Sequence, residues 1–179
     1  MEAVGDEVSD IKVGDRVLLS HDQGGHCTDC VSGRPTRYDA FAPLNLAGEQ
    51  GTFELDEDGT KVEVAGCFFG QSSFAELSVC KEGSCVVVND LVAEEDLRLL
   101  APLGCGLMTG VGGICNEVKA GPEGVVLVTG LGGVGLGTLM AAKIVGCKMV
   151  IAVDRVASRV ELAKELGADL LLDTSLHED

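Results

Sequence analysis

Hydrophobic and polar positions change their spacing about halfway along the chain. Up to residue 90 the apolar residues come in short runs between turn residues. Arg16–Ser20 (Arg-Val-Leu-Leu-Ser) follows a Val-Gly-Asp turn at 13–15, and Lys61–Ala65 alternates polar and apolar side chains after Asp58-Gly59. Cys85–Val88 is apolar and β-branched. Such runs predict short strands. The Gly- and acid-rich stretches Asp22–Gly33 and Leu46–Gly59 read as loops, with Asp56-Glu57-Asp58 as a solvated turn. The first half is therefore expected to be an irregular, mostly antiparallel β region.

From residue 91 the pattern lengthens. Glu94–Leu100 reads as a helix start. Its Glu94-Glu95-Asp96 turn places acids where the helix dipole favours them. Pro102 opens a Gly-punctuated segment. Val125–Thr129 and Val150–Val153 are apolar, β-branched runs, and Asp169–Leu172 begins a third. Between them, Leu136–Val145 has helical composition ending at Gly146, and Ser158–Leu166 closes at Gly167. Both glycines stand where helix caps are expected. Strand, helix, strand, helix, strand at this spacing predicts a parallel βαβαβ half-sheet. The chain divides into a β-rich part, 1–90, and an α/β part, 91–179.

Charge narrows the partners. Thirteen basic against 29 acidic residues leave a net charge of −16. No basic patch breaks that balance, which excludes nucleic acid as a main partner. Two uncharged stretches, Leu99–Asn116 and Val125–Ala142, are interrupted by Pro102 and by five glycines respectively. No membrane span is therefore expected. The N-terminus, Met-Glu-Ala-Val-Gly-Asp-Glu, has neither the basic nor the apolar region of a secretory signal. The eight cysteines then read as thiols or metal ligands rather than a disulfide framework. A soluble, cytoplasmic protein is the expectation.

One motif carries chemistry by its setting. Gly130-Leu131-Gly132-Gly133-Val134-Gly135 follows a predicted strand and opens a helix. In that place Gly130 permits a tight turn, Gly132 lets backbone approach a pyrophosphate, and Gly135 lets helix and strand pack closely. The helix start presents free N–H groups to phosphate. Asp154 ends the next strand, at the place beyond the glycine motif where a carboxylate accepts hydrogen bonds from an adenosine ribose. A 2′-phosphate would face that carboxylate, so NAD is favoured over NADP, although the adjacent Arg155 works against the preference.

Leu100–Gly110, with Cys105 and Thr109, resembles a segment of the zinc-containing alcohol dehydrogenases of the medium-chain dehydrogenase/reductase superfamily, as do Gly130–Gly135 and Asp154. Val13-Gly14-Asp15-Arg16-Val17 is similar to a segment of that family's GroES-like domain, and Phe68–Glu76 to its aryl-alcohol (benzyl-alcohol) branch. The resemblance implies an α/β protein: an incomplete GroES-like β domain followed by the first half of a Rossmann sheet. It implies NAD and zinc as cofactors, and a small-molecule alcohol or aldehyde as substrate. Cys105 matches a catalytic zinc ligand and Thr109 a residue near the nicotinamide. Leu131, Gly133 and Val134 lie in the matching pyrophosphate loop, and Arg159 matches a basic residue beside the ribose.

The departures shape the expectation further. The family's other two catalytic ligands, a Cys and the His of Gly-His-Glu, match positions before Met1, and its second βαβ half matches positions after Asp179. In the structural-zinc lobe, Cys27 and Cys30 match two of four cysteines, while Gly24 and Tyr38 stand at the first and fourth positions. Catalytic zinc requires three protein ligands, so a catalytically incomplete dehydrogenase fragment is expected. A nucleotide- or partner-binding fragment without turnover, a zinc-free quinone-reductase-like relative, and homo-oligomerisation are open alternatives.

Overall fold

A computed structural model describes residues 1–176. The chain forms two units, one of Met1–Ala101 and one beginning at Pro102. In the first, β1 (Val17–Leu19) pairs antiparallel with β4 (Cys85–Val87), Leu18 opposite Val86. A second antiparallel pair joins β2 (Glu49–Glu57) to β3 (Thr60–Gly66). Asp58 and Gly59 make its two-residue turn, both at positive φ, and the Gly59 N–H donates to Asp56 Oδ1 at 2.7 Å. Positive φ at both central positions is what a hairpin turn of this kind requires.

This hairpin corrects the sequence reading of Leu46–Gly59 as a loop. Leu46–Gly48 lie outside the strands and Asp58 and Gly59 form the hairpin turn, but Glu49–Glu57, Asp56 and Glu57 included, is β2. Phe53, Leu55 and Val62 remain exposed on the hairpin, so no buried face marked the strand in the pattern. Asp22–Gly33 likewise contains one helical turn, α1 (Thr28–Val31). After it come α2 (Phe41–Asn45) and, following a 3-10 turn at Glu94–Asp96, α3 (Leu97–Leu100).

A buried polar knot, rather than an apolar cluster, ties the first unit together. The Asp22 N–H donates to Asn45 Oδ1 at 2.8 Å, and Asn45 Nδ2 donates to the carbonyls of Asp22 and Phe41 at 3.0 and 3.1 Å. Lys81 Nζ reaches Asp22 Oδ2 at 2.5 Å. Asn45 is fully buried with its partners in place, as buried polar groups must be.

The second unit follows the sequence pattern closely. It contains α4 (Gly106–Gly112) running into a π-helical turn at Gly113–Val118, then β5 (Val125–Thr129), α5 (Gly133–Ile144), β6 (Met149–Asp154), α6 (Ala157–Glu165) and β7 (Leu170–Asp173). The three strands form one parallel sheet in the order β5-β6-β7. Burial alternates along β6, with Val150, Ala152 and Asp154 turned inward. Those first two residues join Val128, Leu131, Leu139, Ala142, Val160 and Ala163 in the core. Val125, Leu127 and Leu170 stay exposed. No single helix among the described residues is long and apolar enough to cross a membrane.

Candidate dinucleotide site

The loop between β5 and α5 takes the shape the glycine motif predicts. Gly130 lies at a φ of 85°, a conformation that favours glycine. Its N–H donates to the Val153 carbonyl at 2.8 Å. A Cβ on Gly135 would stand 1.8 Å from the Gly130 carbonyl oxygen, so helix and loop meet backbone to backbone. Gly132 and Gly133 face open space: a Cβ on either would meet nothing within 4 Å. Gly132 is the N-cap of α5 and makes no side-chain cap. The first-turn N–H groups of Gly133, Val134 and Gly135 thus have no acceptor within the helix.

Asp154 holds this loop from the end of β6. Its Oδ2 accepts the Leu131 N–H at 2.6 Å, and its Oδ1 accepts the Val156 N–H at 2.9 Å. Arg159 Nη1 lies 3.8 Å from Oδ2. One carboxylate therefore links the glycine loop, β6 and the approach to α6. Each oxygen keeps acceptor capacity beyond the bond it already makes. Leu131 itself is fully buried, so its side chain belongs to the core and its N–H to Asp154.

A cleft of about 440 Å³ opens beside this loop. Gly130, Asp154, Arg155 and Arg159 line it, together with Thr129, Val153, Val156 and Thr174. Thr129 and Thr174 carry hydroxyls that the motif did not point to. The signal was present in the topology: ligands bind beyond the carboxyl ends of parallel strands, and Thr174 follows β7 directly. A larger cavity, about 520 Å³, lies in the first unit among Asp22, Tyr38, Leu44, Cys67, Cys80 and Lys81, and touches none of the predicted residues.

Cys105 is exposed and precedes α4; its carbonyl accepts both the N–H and the hydroxyl of Thr109, at 2.9 and 2.8 Å. The helix carrying Thr109 is clamped to α5. A Cβ on Gly110 would stand 2.2 Å from the Val134 carbonyl oxygen, and one on Gly137 would stand 2.9 Å from that of Leu107.

Cys27 and Cys30 sit with their sulfurs 3.2 Å apart. Cys27 Sγ accepts the Cys30 N–H at 3.3 Å, and that bond first, then the neighbouring Cys30 side chain, holds the Cys27 thiol below the usual range. Gly24 and Tyr38 touch: a Cβ on Gly24 would stand 2.9 Å from Tyr38 Cζ. Among the described residues no three His, Cys, Asp or Glu side chains gather as a metal-binding group. Among the described residues, no third metal-ligating side chain joins Cys27 and Cys30, and no group of three forms around Cys105.

Backbone donors give the second unit an acid dependence. Asp154 is held below the ordinary aspartate range first by the Leu131 N–H and then by that of Val156. Asp169 is held down first by the Val150 N–H and then by Lys143. With folded values below unfolded ones, their stabilisation is present above the unfolded value, about 3.9, and is lost as pH falls through it and through the folded values. Urea midpoints are expected to hold level down to about pH 5 and to drop below about pH 4. A curve still level at about pH 3 contradicts this assignment.

Comparison with known proteins agrees with the fold. The family model described as alcohol dehydrogenase GroES-like domain matches residues 1–90, and the one described as zinc-binding dehydrogenase matches 133–179. Geraniol dehydrogenase of Castellaniella defragrans is 42% identical over the whole chain. The crystal structure of benzyl alcohol dehydrogenase from Acinetobacter calcoaceticus superposes with a TM-score of 0.82 at 39% identity, over 99% of this chain. A zinc-binding-domain alcohol dehydrogenase from Burkholderia ambifaria gives 0.80 at 35% identity, also over 99% of this chain. The chain spans 48% of the geraniol enzyme and 47% of each of these two structures. It belongs to the alcohol dehydrogenase family of zinc-binding dehydrogenases, with a GroES-like domain ahead of its parallel sheet.

Proposed function

We propose that this chain is the adenosine-binding portion of an NAD-dependent alcohol dehydrogenase. The observation that carries the reading is the meeting, at one end of a parallel sheet, of an open glycine loop, the Asp154 carboxylate and a cleft of about 440 Å³. The N–H groups of Gly133 and Val134 would meet the pyrophosphate, where the α5 dipole also favours negative charge. Asp154 would accept from the ribose hydroxyls with the acceptor capacity its backbone bonds leave, and Arg159 would lie beside that ribose. When bound, NAD supplies the hydride acceptor for conversion of an alcohol to an aldehyde.

The substrate class we favour is a primary alcohol next to an unsaturated carbon, the feature shared by geraniol and benzyl alcohol. The preference for NAD over NADP rests on Asp154 repelling a 2′-phosphate, against the pull of Arg155 and Arg159.

Because the described residues assemble no three-ligand metal group, this chain alone should produce no NADH from benzyl alcohol or geraniol, with or without added zinc. That assay tests the reading of the chain as catalytically incomplete. Robust turnover that disappears in Cys105→Ser would overturn it.

A further inference from the structure

We propose that Cys27 and Cys30 form a redox-active dithiol, which closes to an intramolecular disulfide on meeting a small disulfide oxidant. Four observations carry this. The first is distance: the sulfurs are 3.2 Å apart. A disulfide bond of about 2 Å then needs only roughly 1 Å of approach. Both residues are half-buried and within reach of a small molecule. Cys27 Sγ accepts the Cys30 N–H at 3.3 Å, and the Cys27 thiol donates to Cys30 Sγ. Finally, no metal group among the described residues competes for them: Gly24 and Tyr38, at the positions where the family pattern has its other two cysteines, pack on each other.

The backbone donor assigns the roles. Cys27, whose sulfur receives the Cys30 N–H, attacks one sulfur of a disulfide RSSR as thiolate. The Cys27–SR bond forms, the RS–SR bond breaks, and RS⁻ leaves to take up a proton. Cys30 then gives its proton to solvent, attacks Cys27 Sγ and expels the second RS⁻. Two protein thiols are oxidised to one disulfide, and RSSR is reduced to two RSH.

The chain contains its own control. Cys80 and Cys85 hold their sulfurs 3.4 Å apart, almost the same separation. There, burial first, and then Cys80 and the acidic Glu82, push the Cys85 thiol up to about 12. At neutral pH that leaves less thiolate on Cys85 than an ordinary thiol has, so Cys85 reacts more slowly. Each thiol of a pair must act once as nucleophile, so Cys85 sets the pace of its pair.

The test is to incubate the reduced chain with oxidised glutathione at neutral pH, quench with acid, alkylate, and map the cysteines by mass spectrometry. The expected result is a Cys27–Cys30 disulfide that forms before any Cys80–Cys85 disulfide. Cys30→Ser should stop at a glutathione adduct on Cys27. The proposal is overturned if Cys80–Cys85 closes first, or if the adduct on Cys27 persists in the unmutated chain. It is also overturned if the purified protein carries zinc that shields both thiols. The mapping needs no variant to fold, and nucleotide binding, measured on reduced protein, succeeds or fails independently.

Discussion

Gly135→Ala is expected to destabilise the second unit by about 3 kcal/mol or more, moving its urea midpoint down at constant slope. The added Cβ would stand 1.8 Å from the Gly130 carbonyl oxygen and 3.4 Å from Val128 Cγ1. The first neighbour is backbone and cannot rotate away. Gly130 is also pinned by its N–H bond to the Val153 carbonyl, at 2.8 Å, so yielding would pull the loop from β6 or α5 from β5. Helix propensity acts in the opposite direction, since Ala is preferred to Gly within a helix by about 1 kcal/mol. Gly133→Ala, where a Cβ meets nothing within 4 Å, is the control, and its midpoint should hold or rise slightly. An unchanged midpoint for Gly135→Ala would mean that α5 and the loop do not meet as described.

Gly110→Ala is expected to cost a similar amount, about 3 kcal/mol, for a different reason. Its Cβ would lie 2.2 Å from the Val134 carbonyl oxygen and 2.5 Å from the Thr138 nitrogen, both backbone atoms of α5. The two helices cross with no side chain between them at that point, and the methyl group would force them apart. Gly112→Ala on the same helix should be nearly neutral, because its nearest contact is the Asn116 amide at 3.8 Å. Gly110 and Gly137 belong to one contact between the helices, so their alanine substitutions should combine less than additively. Equal midpoints for Gly110→Ala and Gly112→Ala would refute the backbone crossing.

The second unit was legible because its chemistry is local. Apolar runs of β-branched residues, helices stopped by Gly146 and Gly167, and one glycine loop all report conformation within a few residues of themselves. Gly130 and Gly135 do in the structure what their spacing implies. Asp154 ends β6 as its position implies, but its hold on Leu131 could not be read, because a hydrogen bond between residues so far apart in the chain leaves no periodic trace. Leu131 lies in the loop, and its side chain is buried in the core.

The first unit was harder to read for a physical reason. Asp22, Asn45 and Lys81 hold it together across loops, and polar residues of that kind ordinarily signal surface. β2 was missed because its exposed Phe53 and Leu55 are set among acids and bury no face that would set a pattern.

Calorimetric titration of the reduced chain with NAD tests the central claim most directly. The account predicts saturable binding, matched by ADP because the adenosine and pyrophosphate contacts dominate, and weakened by Arg159→Ala without loss of fold. A folded protein that releases or takes up no heat with either nucleotide, and gains no thermal stability from them, would contradict it.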